Sequence, residues 1–169
     1  MKVLFCLLSL VLAAPSFASD LKVGDSALLF SAKTDAGKDF SLESQKGHWT
    51  VLYFYPKSGT PGCTKQACTL RDNITKIRAV GAEVFGISAN TVEDQAKFVK
   101  EHHLNFTLLA DPDLAVIKLY NAKMPVLSMA KRWTYILDPE LKIRKIQKDV
   151  DPVADSENVA KDIAALKAH

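Results

Sequence analysis

The sequence predicts an α/β fold with a central mixed sheet, mainly parallel but with a short antiparallel edge, helices on both faces and an N-terminal β-hairpin. Residues 49–55 are rich in β-branched and aromatic side chains, and residues 83–88 are largely apolar, which is typical of buried strands. Segments of helical periodicity separate these runs, and parallel strands need such crossovers. The last two predicted strands follow each other through a turn and therefore predict a hairpin.

Local signals set the boundaries of the elements. Residues 35–37 (Asp-Ala-Gly) suit a hairpin turn, Pro61 suits a first helical turn, and Thr91 followed by Asp94 suits a weak capping box. In chain order the predicted elements are a hairpin within 21–42, a strand over 49–55, helix 61–79, strand 83–88, helix 91–101, strand 106–110, helix 113–120, strands 133–137 and 143–147, and helix 153–167.

The first 18 residues have the composition of a signal peptide. Lys2 gives a positive start, residues 3–14 are apolar apart from Ser9, and small residues precede the expected cleavage site after Ala18. The apolar run is too short to span a bilayer. We therefore expect a single domain over 19–169, export to a compartment such as the bacterial periplasm, and no stable membrane association afterwards. An uncleaved N-terminal anchor is the alternative interpretation.

The charge pattern excludes several classes of partner. The net charge is +3 at pH 7, from 22 Lys and Arg against 19 Asp and Glu, and the two signs are interspersed. This balance does not favour a nucleic-acid or anionic-membrane partner. The adjacent His102 and His103 point in different directions on a helix and have no evident third ligand, so we predict no metal site and no cofactor.

The segment most informative about function is 56–68 (PKSGTPGCTKQAC), which follows a predicted strand and opens a predicted helix. Cys63 therefore lies at a helix N-terminus, where free N–H groups and the helix dipole favour an anion. A thiolate is such an anion, and it is the reactive form of cysteine. Ligands of α/β sheets bind beyond the carboxyl ends of the strands, where this turn lies. The segment thus indicates redox chemistry at sulfur.

Export would leave two cysteines, Cys63 and Cys68, in an oxidising compartment, where a structural disulfide is the usual expectation. In an intact helix their Cα atoms lie about 8–9 Å apart, whereas a disulfide needs about 7 Å or less. The spacing argues against a permanent bond. Cys68 is then either a second redox cysteine or a small buried apolar residue.

In these motifs the chain resembles the peroxiredoxins, and most closely the bacterioferritin-comigratory-protein (peroxiredoxin Q) branch. The resemblance implies a thioredoxin-like fold and the thiol-dependent reduction of hydrogen peroxide or organic hydroperoxides through a cysteine sulfenic acid. The matching residues are 53–57 (YFYPK), 60–64 (TPGCT), Cys68, 70–73 (LRDN), 86–88 (GIS), 104–109 (LNFTLL) and 132–138.

The resemblance also implies a role for each matching residue of the site. Cys63 would be the peroxidatic cysteine, and Cys68 the resolving cysteine that closes an intramolecular disulfide. A dithiol reductant such as a thioredoxin-like protein would reopen that disulfide. Arg132 matches the arginine beside the reactive sulfur, and Thr60 matches the threonine that contacts peroxide. The matching pocket residues are Pro56, Pro61 and Gly62.

Physical chemistry gives these roles a reason. A free cysteine, with a pKa of about 8.5, is mostly protonated at neutral pH, and a helix N-terminus and a guanidinium both increase the thiolate fraction. As charge moves towards the leaving oxygen, we expect Arg132, the Thr60 hydroxyl and the Cys63 N–H to donate along its path. Because the intact helix separates the cysteines, its first turns must unwind before they bond.

Two other functions stay open at this point. An exported thiol–disulfide oxidoreductase would use the same fold and cysteine, although such proteins usually carry a Cys-x-x-Cys pair. A non-catalytic binding domain would not need Thr60, Cys63 and Arg132 together.

Two features depart from the branch: the export signal and a short segment 121–131 without the expected glycine-containing loop. That segment predicts either an apolar pocket wall or ordinary core packing. We expect a monomer, because no exposed apolar strand suggests an obligate dimer.

Overall fold

The computed structural model describes residues 20–168. The predicted signal peptide over 1–18 and its cleavage site lie outside the described residues. Within 20–168, none of the helices is both long and apolar enough to cross a membrane.

Every predicted helix and strand is present, with boundaries that shift by a few residues. The long helix and the last two strands match their predicted bounds, and the N-terminal hairpin turns where expected. The strands are β1 (Ser31–Thr34), β2 (Asp39–Ser41), β3 (Trp49–Phe54), β4 (Ala82–Ser88), β5 (Thr107–Ala110), β6 (Trp133–Leu137) and β7 (Ile143–Gln147), and the α-helices are α1 (Pro61–Ala79), α2 (Val92–His102), α3 (Ala115–Leu119) and α4 (Asp155–Lys167).

The two largest boundary shifts have local causes. Helix α3 begins two residues later than predicted because Leu114, its N-cap, adopts a left-handed conformation with φ 60°. Helix α4 begins at Asp155 because the Asp151 carboxylate accepts hydrogen bonds from the N–H groups of Val153 and Ala154. These bonds hold the preceding residues in a turn, and such local side-chain bonds compete with helix formation.

The seven strands form one sheet in the order β2-β1-β5-β4-β3-β6-β7. Pairs β3–β4 and β4–β5 are parallel, whereas the other four neighbouring pairs are antiparallel. The prediction of a mixed sheet is confirmed, but the expectation that it is mainly parallel is wrong. The N-terminal hairpin adds β1 antiparallel to β5, and the loop after α3 returns β6 antiparallel to β3.

Strand β3 lies at the centre of two hydrophobic cores, one on each face of the sheet. Its side chains alternate, so Val51 and Tyr53 pack on one face while Leu52 and Phe54 pack on the other. Helices α1, α2 and α4 cover the first face, and α3 covers the second. Helices therefore lie on both faces, as predicted, and β3 is buried along its whole length.

A polar network anchors the loop that joins β3 to α1. The Tyr55 hydroxyl donates to Gln95 Oε1 at 2.5 Å, and Ser58 Oγ donates to the same oxygen at 3.0 Å. The backbone N–H of Ser58 donates to Asn90 Oδ1 at 3.0 Å. Gln95 belongs to α2 and Asn90 lies just before it, so this network fixes where α1 begins relative to the carboxyl end of β4.

The predicted capping box at the start of α2 is confirmed. Thr91 Oγ1 accepts from the backbone N–H of Asp94 at 3.2 Å, and the Asp94 carboxylate accepts from the N–H of Thr91 at 3.4 Å. Both bonds satisfy N–H groups that a helix start leaves free. The box therefore fixes the first turn of α2, the helix that anchors the loop between β3 and α1.

Candidate active site

Cys63 is the third residue of α1 and is buried, with 1% of its surface exposed. The N-cap, Thr60, has extended backbone and makes no side-chain capping bond, while its carbonyl accepts the first helical bond from Thr64 at 2.8 Å. The first N–H groups of a helix have no partner within it. The sulfur therefore lies beside uncapped donors at the positive end of the helix dipole.

Arg132 immediately precedes β6 and brings its guanidinium to Cys63. Its Nη2 lies 3.4 Å from the Cys63 Sγ. An opposite unit charge at about 4 Å is worth about 4 kcal/mol at an effective dielectric of about 20, and less where water reaches the pair. A helix terminus contributes about 0.3–1 kcal/mol. Arg132 is therefore the larger of the two positive electrostatic influences at the sulfur.

Gly62 makes room for this guanidinium. A Cβ atom at position 62 would lie 3.3 Å from Arg132 Nη2, which is tighter than an ordinary contact. The glycine next to the reactive cysteine thus has a steric reason, because a side chain there would press on the arginine. This residue was predicted as part of the pocket, and the structure places it beside the guanidinium that contacts the sulfur.

The Thr60 hydroxyl is arranged differently from the expectation. Its Oγ1 donates to the carbonyl oxygen of Lys57 at 2.9 Å, so its proton is already engaged. A hydroxyl oxygen in that state accepts hydrogen bonds through its remaining lone pairs. In this arrangement the Thr60 proton is engaged with Lys57, and the hydroxyl oxygen is left to accept a hydrogen bond. The prediction that Thr60 contacts the peroxide stays a prediction.

Pro56 is half-buried and lines a cavity of about 230 Å³ with Ser128 and Met129. Pro61 is exposed at the start of α1, and neither Pro61 nor Gly62 belongs to this cavity's lining. The predicted pocket residues therefore do not share one cavity. The remaining lining residues are Lys57, Ala89, Asn90 and Asp94.

The short segment 121–131 forms a tight return whose two ends lie in the core, where Ala122 and Ala130 are fully buried. Met124 donates its backbone N–H to Met129 at 2.9 Å, and the tip is exposed, with Val126 at 91% and Leu127 at 50%. Ser128 and Met129 line the cavity that Pro56 also lines, whereas Cys63, Thr60 and Arg132 do not line it. Of the two interpretations offered by the sequence, core packing is excluded for the tip.

Cys68 is half-buried on the same intact helix, and both thiols are free. It follows Cys63 by five positions along an unbroken helix, which corresponds to about 8–9 Å between Cα atoms. The structure thus shows the two cysteines held apart, as the sequence predicts for the reduced state.

Two buried polar residues of the site were missed by the sequence analysis. Arg132 Nη1 donates to Gln66 Oε1 at 2.5 Å, and Gln66 Nε2 donates to Asp155 Oδ2 at 2.6 Å. Gln66 and Asp155 are both fully buried. A chain of side-chain contacts therefore runs from α4 through α1 to the reactive sulfur.

Each missed residue carried a signal in the sequence. Gln66 follows Cys63 by three residues and therefore lies on the same face of α1. Asp155 precedes Val159 and Ile163 at intervals of four, which places a carboxylate on the apolar stripe of α4. An acid on a buried stripe indicates a polar partner inside the protein.

Comparison with known proteins agrees with this geometry. The AhpC/TSA family model matches residues 23–146. Peroxiredoxin Bcp of Escherichia coli K12 is 37% identical over 135 residues, which are 76% of this chain and 86% of that protein. The chloroplastic peroxiredoxin Q of Triticum aestivum is 44% identical over 110 residues, which are 64% of this chain and 51% of that longer protein.

Solved structures show the same fold. Peroxidoxin BcpB from Mycobacterium tuberculosis superposes with a TM-score of 0.80 at 29% identity, covering 86% of this chain and 98% of its own. Peroxiredoxin Q from Xanthomonas campestris gives 0.74 at 28% identity, covering 83% and 90%. The predicted thioredoxin-like fold is confirmed. The chain therefore belongs to the AhpC/TSA family, in which its relatives are Bcp and peroxiredoxin Q proteins.

Proposed function

We propose that this chain is a thiol-dependent peroxidase that reduces hydrogen peroxide and organic hydroperoxides at Cys63. The observation that carries the proposal is the buried sulfur at the uncapped start of α1, 3.4 Å from the Arg132 guanidinium. The names of its relatives, peroxiredoxin Bcp and peroxiredoxin Q, support the same reaction. No metal or organic cofactor is needed for it.

In the first step the Cys63 thiolate attacks the nearer oxygen of the hydroperoxide. An S–O bond forms as the O–O bond breaks, the sulfur is oxidised to a sulfenic acid, and the far oxygen leaves as alkoxide or hydroxide and takes up a proton. Negative charge moves from sulfur to that oxygen. The N–H groups of Arg132 donate hydrogen bonds along the path of this charge. The Thr60 oxygen orients the peroxide by accepting a hydrogen bond from it.

In the second step Cys68 attacks the sulfenic sulfur, forming the Cys63–Cys68 disulfide and releasing water. The intact α1 prevents this contact, so its first turns unwind before the bond closes. Pro61 and Gly62 lower the free-energy cost of unwinding the first turn, because neither stabilises a helix as an ordinary interior residue does. A dithiol reductant then exchanges with the disulfide and restores both thiols.

We propose further that the protein is exported, acts as a monomer and draws on a reductant of its own compartment. The signal-like residues 1–18 support export. The edge strands support a monomer, because β2 spans three residues and β7 carries Arg144 and Lys145. Cytosolic thioredoxin would not reach an exported enzyme, so the reductant is an exported thioredoxin-like protein or a small thiol.

Serine variants separate the two cysteines. Cys63→Ser is expected to consume hydrogen peroxide no faster than buffer with dithiol. Cys68→Ser is expected to complete one oxidation but to need an external small thiol for turnover. Mass analysis after one equivalent of peroxide checks this, since only the wild type should lose two hydrogens by forming a disulfide.

The same preparation tests the alternative function. A peroxidase leaves insulin disulfides intact under conditions in which it consumes peroxide with a dithiol. Rapid insulin reduction by the wild type, with peroxide consumption unchanged in Cys63→Ser, would favour a thiol–disulfide oxidoreductase and contradict the peroxidase.

Amide hydrogen exchange tests the unwinding of α1. We expect the amides of residues 63–70 to be protected in the reduced protein and to exchange much faster in the disulfide form, because the bond is incompatible with a whole helix. Residues 92–102 of α2 provide the internal control. Equal protection of α1 in the two forms would contradict the mechanism.

Expression with the native N-terminus in a Gram-negative bacterium tests export. We expect the protein in the periplasmic fraction, with the mass of a chain that starts at Ser19, because the small residues before Ser19 suit a signal peptidase. The Ala18→Arg variant, in which the rest of the signal is unchanged, is the matched control and should keep the full-length mass. Intact full-length wild-type protein in the cytoplasm would reject the proposal.

A further inference from the structure

The buried carboxylate of Asp155 has no part in the steps described above. It lies in the first turn of α4 and is fully buried. Its Oδ2 accepts from Gln66 Nε2 at 2.6 Å, and both carboxylate oxygens lie 3.4 Å from Thr134 Oγ1. Its distance along the chain from Gln66 is 89 residues, so the fold brings the two together.

Stability alone does not account for this carboxylate. Burial raises the pKa of Asp155, and the hydrogen bonds from Gln66 and Thr134 and the charge of Arg132 oppose that rise. A raised pKa in the folded protein means that ionisation at neutral pH costs stability, and this cost is absent only at low pH. An apolar residue of similar size often replaces a buried charge without loss of stability.

The amide of Gln66 shows what the carboxylate does. An amide has an accepting oxygen and a donating NH₂ group, and the two ends can exchange by rotation about the last side-chain bond. In the structure the Asp155 Oδ2 accepts from the NH₂ end at 2.6 Å. That leaves the oxygen facing Arg132, which only donates. The reversed amide would set NH₂ against the guanidinium and oxygen against the carboxylate.

We propose that Asp155 is a positioning residue for the peroxidase reaction: it fixes the orientation of the Gln66 amide, and the oriented amide holds Arg132 against the Cys63 sulfur. Each member satisfies the next, from carboxylate to amide to guanidinium to thiolate. Small displacements of a catalytic group are costly because its geometry must match the developing charge. This inference rests on the proposed role of Cys63.

The test measures the rate constant for a single oxidation of Cys63 by hydrogen peroxide, in a Cys68→Ser background so that only this step counts. Asp155→Leu removes the acceptor at similar size and is expected to slow the oxidation at least tenfold. Asp162→Asn is the matched control, because it removes another α4 carboxylate whose partner is Lys145 and should stay within about twofold of the parent protein.

An exchange of charge distinguishes positioning from a merely structural role. Gln66→Glu alone places two carboxylates in contact and should slow the oxidation. Gln66→Glu with Asp155→Asn keeps the charge of the pair and reverses the hydrogen bond, since the Asn amide donates to Glu. The oxidation rate constant of the double variant should recover to within about threefold of the parent's. Its melting temperature should be no lower than that of Gln66→Glu.

The outcomes separate the inference from the proposed function. If the parent protein oxidises rapidly and Asp155→Leu does so equally fast, or if the double variant is no faster than Gln66→Glu, the positioning role is wrong while the peroxidase stands. If the parent protein itself fails to react with peroxide at Cys63, the proposed function is wrong.

Discussion

The contact between the Arg132 guanidinium and the Cys63 sulfur is the interaction on which the rest of the site depends. Sheet register creates it: β6 pairs antiparallel with β3 so that Trp133 lies opposite Phe54, and Arg132 therefore stands beside the residue where β3 ends. A slip of one residue in β6 would turn the guanidinium to the other face of the sheet. Chemistry at the sulfur is thus tied to a pairing between strands about 80 residues apart in the chain.

The helix whose first turn holds Cys63 also keeps it from Cys68. In the proposed mechanism this helix must therefore be intact for the first step and open for the second. Helix α1 spans 19 residues, and side chains from its middle bind α4 and the turn before it. Asn73 donates to Ser156 Oγ in α4, and Thr69 donates to the Pro152 carbonyl in the preceding turn. Its first turn has no side-chain cap and begins with Pro61 and Gly62. Stability is therefore concentrated away from the end that has to open.

Local structure was predictable from the sequence because local signals determine it. Both ends of helix α1 were predicted correctly, because a proline at its start, an apolar stripe along it and an apolar strand before it indicate its position. Strand direction was not, since whether β6 runs parallel or antiparallel to β3 depends on how the loop after α3 returns. The motif around Cys63 and its resemblance to a known family predicted the cysteines and Arg132 as site residues from the sequence alone.

The partners of those residues were harder to predict because they lie far apart in the chain. Gln66 and Asp155 meet only once α1 and α4 pack together, and no motif links them. The hydroxyl of Thr60 was predicted to donate to the leaving oxygen, but in the structure it donates to the carbonyl of Lys57, three residues away. A residue's identity indicates what it can do, and its neighbours in the folded chain decide which of those capacities is used.

The most direct test of this account is the rate at which iodoacetamide alkylates Cys63 at pH 6, where an ordinary cysteine is almost wholly protonated. In the folded Cys68→Ser protein we expect this alkylation to be rapid, because the Arg132 guanidinium lies 3.4 Å from the sulfur. Unfolding in urea or the Arg132→Met substitution should lower the pH 6 rate at least tenfold. A pH 6 rate in the folded protein no higher than in the urea-unfolded chain would contradict a stabilised thiolate at this position.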